Sequence, residues 1–390
     1  MKTGKKPKGS KMKAALSFDD VLLVPKMSKI QSRTEVSLCS CLREEYHEED
    51  TDKKIEHVAF SLPIISSPMD TVTGRKMAAA MSSAGGLGIV HRYCSIEEQV
   101  NMIYQEFRRG EDSAPTKDGL VFLKASTPDP RGWWENRTHI KKPAAAIGVT
   151  GDYMERAQEL VNSDCKILCI DVAHGHHISV KKAIKALKKK FDDRIIIIAG
   201  NVATADGYCD LSDWGADAVR VGIGGGSICS TRIQTGHGVP TLQSIMDCVD
   251  SYGDAYIIAD GGIRNSGDIV KALAAGANFV MLGSLLAGTD ESPGQVFSTG
   301  EGKKYKVYRG MASVEAQVDW RGQARSLEGV STTIPYKGSV MKVLADLEQN
   351  IRSGLSYSGA TDLKELYHKS KFIKQTSAGM RESSTHILSR

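Results

Sequence analysis

The sequence predicts an α/β protein folded as a closed (β/α)8 TIM barrel with a C-terminal extension and a short insertion. Three observations predict it. Eight short, nearly continuous apolar runs alternate with helical patterns between residues 63 and 283. Runs without apolar–polar alternation read as parallel strands covered on both faces, and eight such units in series are what a closed barrel needs. No GxGxxG follows the first run and no GxxxxGK with a following Ser or Thr occurs anywhere, which disfavours an open doubly wound sheet.

Taken in order, residues 16–25 form a short apolar segment that ends at Pro25, and the acidic stretch 44–56 reads as an exposed loop. The first strand is expected over 63–69 with a helix at 73–84, and the second over 86–90 with a helix at 95–108. Residues 110–142 break the rhythm: they are polar, carry Pro115, Pro128, Pro130 and the pair Trp133-Trp134, and read as an insertion. The rhythm resumes with strands at 144–149, 166–172, 195–201 and 217–222, followed by helices at 152–162, 177–190, 203–214 and 241–251. The seventh strand is 255–261 with a helix at 266–275, and the eighth is 278–283. Beyond it, 301–337 is polar and glycine-containing, helices follow at 339–354 and 361–369, and 376–390 reads as ordering only against a neighbour.

Composition bounds the function. An apolar content of 41% and a charged content of 25% are ordinary for a globular domain. The formal charge is +5, but residues 1–13 hold six lysines and no acid, so the rest of the chain stands at −1. The basic balance belongs to a Lys/Gly/Pro/Ser tail expected to be disordered, and it does not argue for nucleic-acid binding by the body. No signal peptide and no membrane-spanning run is read, and the eight cysteines form no CxxC pair. Reduced thiols in a cytoplasm are the expectation.

The chemistry should gather at the C-terminal strand ends. The sixth strand runs into Gly222, Gly224, Gly225 and Gly226, then Ser227, Cys229 and Thr231. Glycines there let the backbone bend and a ligand approach it, so Cys229 is a candidate nucleophile beside a bound substrate; an inert cysteine on a turn is equally open from this stretch alone. Strand seven ends Asp260-Gly261-Gly262 and strand eight ends Gly283-Ser284, which offers unobstructed N–H groups to a phosphate and a carboxylate to a ribose diol. Strand four ends Asp171-Val-Ala-His-Gly-His-His177, whose spacing matches no standard zinc motif and which can equally line a ligand cleft. His91-Arg92, after strand two, would add positive charge to the same rim.

Six motifs occur in the order of one known family: Leu16-Ser-Phe-Asp-Asp-Val-Leu-Leu, Ser66-Ser-Pro-Met-Asp-Thr-Val, Ala199-Gly-Asn-Val-Ala-Thr, Gly226-Ser-Ile-Cys-Ser-Thr-Arg, Ala259-Asp-Gly-Gly-Ile and Tyr308-Arg-Gly-Met. Over 14–109 and 143–390 the chain resembles the IMP dehydrogenase/GMP reductase family. The resemblance implies one catalytic domain over 14–390 in which Cys229 attacks C2 of a purine nucleotide, with Thr231 and Glu328 handling protons. It implies that Ser67, Met69, Ser227, Asp260, Gly261, Gly262, Gly283, Ser284, Tyr308, Gly310 and Met311 hold the nucleotide. It also implies a monovalent cation, usually K+, on the carbonyls of Gly224, Gly226 and Cys229, completed by Glu382 of a neighbouring subunit in a homotetramer.

The family divides into dehydrogenases, which hydrolyse the covalent intermediate, and reductases, which expel ammonia from it and reduce it. Hydrolysis uses an Arg-Tyr pair on a mobile flap. Here the flap, between Met311 and Glu328, is short and holds no Arg-Tyr pair. Ser32-Arg33 resembles the reductase element that meets the cofactor phosphate across a subunit boundary, and 110–142 is too short for the regulatory CBS pair of many dehydrogenases. Against this, Ser66-Ser-Pro-Met, Asp171-Val-Ala-His-Gly-His and Ser356-Tyr-Ser-Gly-Ala are closer to bacterial dehydrogenases. Water activation is the step that differs, so the expectation is a GMP reductase. It would use NADPH, with Asp171, Val172 and Ala173 at the cofactor and Arg92, Ser32 and Arg33 at its phosphates. The alternative is an NAD-dependent IMP dehydrogenase. A non-catalytic nucleotide-binding scaffold would be marked by loss of Cys229, Thr231 or Glu328, and all three are present.

Overall fold

The computed structural model describes residues 12–43, 47–48, 53–54, 58–103, 143–324 and 328–383. Eight parallel strands close into a barrel: β1 Ile64–Ser66, β2 Leu87–Val90, β3 Ala144–Ile147, β4 Ile167–Asp171, β5 Ile196–Val202, β6 Ala218–Val221, β7 Tyr256–Asp260 and β8 Phe279–Leu282. Each pairs with the next in sequence, and Val280 opposite Ile64 closes β8 onto β1. The expected fold class is the observed one.

The continuous apolar runs follow from burial on both faces. Alternate residues of each strand enter two separate cores. Ile65, Ile89, Ala146, Ile167, Ile198 and Phe279 fill the barrel interior, while Ile64, Val90, Ala145, Leu168, Ile197 and Val280 pack beneath the helices. Each large buried aliphatic contributes about 1.5–3 kcal/mol. A strand hairpin, Ser40–Arg43 against Val58–Phe60, plugs the end of the barrel remote from the glycine loops, with Phe60 edge-on to Phe279 at 5.7 Å. Arg43 anchors the plug by donating to the carbonyls of Asp193 and Ile195, both at 2.7 Å.

The helices between strands are α1 Arg75–Ser83, α2 at 96–103, α3 Tyr153–Asn162, α4 Ile178–Phe191, α5 Ala205–Trp214, α6 Thr241–Val249 and α7 Ser266–Ala274. Their ends follow local chemistry: Thr204 and Asn265 cap α5 and α7 by accepting from Gly207 and Asp268 N–H, and α5 stops at left-handed Gly215. The insertion expected at 110–142 and the tail at 1–11 lie outside the described residues. Among the described residues no helix is long and apolar enough to cross a membrane.

After β8 the structure departs from the expected polar loop. Phe297–Ser298, Lys304–Arg309 and Ser331–Pro335 form a three-stranded antiparallel ribbon, with α8 Val314–Arg321 in the segment joining its last two strands. The strand Lys304–Arg309 escapes apolar pattern reading because one inward position is Lys306. It is 2% exposed and donates to the carbonyls of Thr289 and Ser292. Helices α9 Val340–Tyr357 and α10 Leu363–Lys369 follow as expected. The segment at the C-terminal end is ordered within the chain: Phe372–Lys374 pairs antiparallel with Val21–Leu23, and α11 Ser377–Glu382 follows. Residues 384–390 lie outside the described residues. The stretch 44–56 is partly described, as a short strand pair His47–Glu48 with Lys53–Lys54.

Candidate active site

The loop after β6 is shaped by close approach of main chain to main chain. Gly222 (φ 144°) lies so near β7 that a Cβ there would stand 1.9 Å from the Asp260 carbonyl oxygen. A Cβ at Gly261 would stand 3.0 Å from Gly226 N, so the loops after β6 and β7 interlock without side chains. The loop ends in a short helix, Thr231–Thr235.

Cys229 sits half-buried just before that helix. Its Sγ donates to Thr231 Oγ1 at 3.2 Å, and Thr231 Oγ1 donates to Glu328 Oε2 at 2.8 Å. A backbone ladder fixes this relay. Ser230 N–H donates to Glu328 O and Val330 N–H to Ile228 O, both at 3.0 Å, while Gly310 N–H donates to Val330 O at 3.0 Å. Cys229, Thr231 and Glu328, though 97 residues separate the last two, are thus brought together.

Beside the thiol lies a bed of groups from four segments. A Cβ at Gly283 would meet Tyr308 Oη at 2.9 Å, Met69 Sδ at 3.5 Å and Ser67 Oγ at 3.6 Å. Burial pushes the Tyr308 phenol's pKa up, opposed by its hydrogen bond with Ser227. Met311 Sδ accepts from Asp70 N–H at 3.3 Å, so it joins the same wall. Past β8 the chain turns helically, with Leu286 and Ala287 N–H both donating to Gly283 O. Lys337 Nζ, whose pKa burial lowers, caps the turn by donating to Ser284 O and Leu285 O. Gly261 and Gly262 (φ 89° and 79°) stand in the left-handed region beside Gly225 of the Cys229 loop.

Asp260 is held by residues the sequence reading passed over. Its Oδ2 accepts from Asn201 Nδ2 at 2.8 Å and from Arg220 Nη2 and Nε at 2.9 and 3.1 Å. Arg220 Nη1 donates to Asp171 Oδ1 at 2.6 Å. Burial alone would lower the guanidinium's pKa; its surroundings, the charge of Asp260 first among them, raise it well above the usual value. Among the described residues Asp260 Oδ1 carries no hydrogen bond, which leaves one carboxylate oxygen for a ligand. An arginine inside the apolar run Ala218–Val221 was the available signal.

The far wall is built from β2, β4 and the flap. Arg92 Nη2 donates to Asp171 O at 3.1 Å, and its buried Nε makes no hydrogen bond but lies in an ion pair 3.8 Å from Asp171 Oδ2. Val172 stays tied to β5 by hydrogen bonds with Gly200 and Asn201, and Ala173 beyond it is exposed. The Arg92 guanidinium lies 5.3 Å from the Tyr93 ring centre and 5.6 Å from that of Trp320 on α8. Arg309 ties the flap down through Asp70, at 2.6 Å, and Asp319, at 2.5 Å. Of these groups, Tyr93, Trp320, Asp70, Arg309 and Asp319 border a cavity of about 970 Å³, and Arg92, Asp171, Val172 and Ala173 do not. His91 does not add the positive charge expected of it: burial pushes its pKa down, outweighing the pull of Asp70.

Two groups of predicted residues lie apart from this cluster. Ser32 caps a short turn Arg33–Glu35 beside α9, where Arg352 donates to Val36 O. Glu382 is exposed at the end of α11. Of the carbonyls expected to hold a monovalent cation, among the described residues those of Gly224 and Cys229 accept no hydrogen bond, and that of Gly226 accepts one, from Cys229 N–H. Oxygen ligands suit a hard monovalent ion. Among the described residues no group of three His, Cys, Asp or Glu is placed to hold a metal ion.

Residues 15–386 match the model of the IMP dehydrogenase / GMP reductase domain. The chain is 36% identical to an inosine-5'-monophosphate dehydrogenase of Nitrosopumilus maritimus, over 96% of this chain and 98% of that one. It is 34% identical to a GMP reductase of Leishmania major, over 96% and 97%. A crystal structure of a GMP reductase variant from Trypanosoma brucei, in complex with guanosine 5'-monophosphate, superposes with a TM-score of 0.81 at 31% identity, covering 96% of this chain and 98% of that one.

Proposed function

Because the chain belongs to the IMP dehydrogenase/GMP reductase family, we propose that it is a GMP reductase, an oxidoreductase that converts GMP to IMP and ammonia with NADPH. The observation that carries this reading is the flap. From Met311 to Glu328 it offers no Arg-Tyr pair to activate water, and its helix α8 commits Trp320 to a stack on Tyr93. Expulsion of ammonia needs only a proton donor at the leaving nitrogen, and Thr231 with Glu328 supplies one.

In this reading the phosphate rests on the N–H groups of Gly262, Gly283 and Ser284, and Asp260 Oδ1 accepts from the ribose. Met69, Met311 and Tyr308 bound the base. The Cys229 thiolate adds to C2; Thr231, relaying from Glu328, delivers a proton to the amino nitrogen as the C2–N bond breaks. General acid catalysis of this kind is worth about 10²–10⁴ in rate. NADPH, when bound, supplies the hydride that reduces C2, and the C2–S bond then breaks to return the thiolate and release IMP. Two protons are taken up and ammonium leaves, so the exchange balances. Arg92, held beside Asp171, puts a guanidinium on the wall where a phosphorylated cofactor would lie. A monovalent cation on Gly224, Gly226 and Cys229, with the partner subunit's Glu382 in a homotetramer, belongs to the same reading, as does a cytoplasmic location.

Beside the three motifs closer to bacterial dehydrogenases, the dehydrogenase reading has a structural support. An Arg-Tyr pair does exist at the mouth, Arg92-Tyr93, contributed by the end of β2 and covered by α8. The test is to mix the protein with GMP and NADPH, and separately with IMP and NAD, and follow nicotinamide absorbance. Loss of absorbance only in the first mixture supports the reductase; gain only in the second overturns it in favour of XMP formation.

A further inference from the structure

Taking an ammonium group out of water is costly, and an apolar side chain would fill an inward position of a strand without that cost. Lys306, inside the ribbon strand Lys304–Arg309, is nonetheless 2% exposed. Its Nζ donates to the carbonyls of Thr289 and Ser292, at 2.9 and 2.5 Å. Two neutral peptide oxygens orient the charge without cancelling it. The two acids between those carbonyls in sequence are bound to other groups. Asp290 accepts from Tyr336 Oη at 2.6 Å, and Glu291 accepts from Ser339 Oγ at 3.0 Å and from Val340 N–H at 2.7 Å. Among the described residues no carboxylate pairs with Lys306. Burial lowers its pKa, and the charges of Asp290 and Glu291 offset this only in part.

The turn that accepts these bonds begins at the proposed phosphate cradle. Leu286 and Ala287 N–H donate to Gly283 O at 3.0 and 2.9 Å. Thr289 Oγ1 donates to Leu286 O at 2.8 Å, and Ser292 Oγ donates to Thr289 O at 2.9 Å. Thr289 and Ser292 are themselves buried. A hydrogen-bonded series therefore runs from Gly283 to Lys306 Nζ. Two residues further along the strand, and so on the same face, stands Tyr308, 4% exposed. Its Oη lies 2.9 Å from where a Cβ of Gly283 would be, and it bonds with Ser227 of the Cys229 loop. Lys306 thus closes a ring that leaves β8 at Gly283, follows the turn to Ser292, crosses to the ribbon and returns to Gly283 through Tyr308. An anion on the N–H groups of Gly283 and Ser284 would meet, in the framework behind them, an unpaired charge in a poorly screened setting.

We propose that Lys306 is a positioning residue for the nucleotide phosphate: its ammonium fixes the turn from Gly283 to Ser292 against Tyr308 and supplies positive charge that no acid pairs with. Lys306 has this role only if the phosphate lies on Gly262, Gly283 and Ser284, as proposed above. It has it for either reaction of the family, because GMP and IMP carry the same phosphate.

The full-length wild type, Lys306→Met and Lys306→Arg are titrated calorimetrically with GMP against guanosine and with IMP against inosine, each pair differing only by the phosphate. The wild type should bind each nucleotide about a hundredfold or more tighter than its nucleoside, the size of one or two charge-assisted hydrogen bonds. Lys306→Met keeps an unbranched chain without the charge. It should cut that ratio about tenfold and leave nucleoside affinity unchanged, which also shows that the variant is folded. In turnover, KM for the nucleotide should rise about tenfold while kcat and KM for the nicotinamide cofactor stay nearly constant. Lys306→Arg, which keeps charge and donors, should recover most of the loss. If Lys306→Met does not fold, Lys306→Gln, with two N–H donors and no charge, is judged by the same ratio. Equal weakening of nucleotide and nucleoside overturns the proposal, since it marks a contact of the fold alone. A wild-type preference that survives intact in the uncharged variant removes Lys306 and leaves the phosphate placement standing. A wild type that binds nucleoside as tightly as nucleotide removes the placement itself, and Lys306 with it.

Discussion

Trp320 of the flap lies face to face with Tyr93, ring centres 4.4 Å apart and planes 12° from parallel, although 227 residues separate them in sequence. The stack covers the Arg92 guanidinium, and Arg309 bridging Asp70 and Asp319 pulls the same helix down from the other side. The flap is therefore fastened at two points to the wall formed by β1 and β2. An aromatic pair of this kind is worth about 0.5–1.5 kcal/mol beyond its buried area.

Trp320→Ala should loosen that fastening. Proteolysis within 312–327 should accelerate, and KM for the nicotinamide cofactor should change about 2- to 10-fold, the range the stack's energy allows. Trp320→Phe should restore most of both. Unchanged cleavage and KM in Trp320→Ala would mean that the stack is a resting contact without consequence for the flap.

Arg220 holds Asp171 and Asp260 together inside the mouth, with its side chain 8% exposed. Removing one member of a buried ion group leaves uncompensated charge, which costs about 3–5 kcal/mol. Arg220→Leu should lower the thermal midpoint by several degrees and weaken nucleotide binding through a displaced Asp260. Arg220→Lys should recover only part of either, because a point charge cannot bridge two carboxylates as a planar fork does. Differential scanning calorimetry and nucleotide titration read the two effects; a Leu variant as stable as the wild type would contradict the argument.

How much of this was legible beforehand follows from what each residue contacts. The barrel strands declared themselves because both faces are buried, so runs such as Ile196–Val202 admit almost no polar residue. Cys229, Asp260 and Gly283 were singled out by their positions at glycine-rich strand ends. The ribbon strand Lys304–Arg309 was missed because an inward lysine, satisfied by two carbonyls, breaks the alternation that betrays a strand. The pairing of Tyr93 with Trp320 left no local trace, since neither flanking pattern depends on the other. Arg220 did leave one: a charge within an apolar run must find partners, and both of its partners were already suspected site residues.

The thiol relay yields a third prediction. Cys229→Ala should abolish turnover and leave GMP or IMP binding largely intact. Thr231→Ala should slow the step that expels ammonia by about 10²–10⁴ and affect hydride transfer less. Rapid-quench measurement of ammonia set against the burst in nicotinamide absorbance separates the steps. Turnover retained in Cys229→Ala would exclude covalent catalysis at this position.

The cation reading makes a fourth. A cation held by three carbonyls of one turn, two of which accept no hydrogen bond among the described residues, would fix the backbone on which Cys229 rides. Replacing K+ by a tetraalkylammonium ion too large for the turn should depress kcat and leave KM for the nucleotide nearly unchanged, since the proposed phosphate cradle, Gly262, Gly283 and Ser284, lies on other loops. Equal turnover in both salts at matched ionic strength would remove the ion from the account.

The last prediction concerns the other cysteines. Burial pushes the Cys165, Cys169 and Cys248 thiols up to about 12 and the Cys94 thiol up to about 11. The thiolate is the form that alkylates, so at pH 8 these four stay protonated, and Cys165, Cys169 and Cys248 are buried as well. Cys229 is half-buried at the mouth and bonded to a hydroxyl rather than sunk in a core. Iodoacetamide at pH 8 should therefore inactivate the enzyme in step with carboxymethylation of Cys229, located by peptide mass mapping. GMP or IMP should protect it by covering the sulfur, while any labelling of the half-buried Cys39 or Cys41 should continue unprotected. Inactivation that tracks a cysteine other than Cys229, or that nucleotide fails to slow, would show that the purine does not lie over this sulfur.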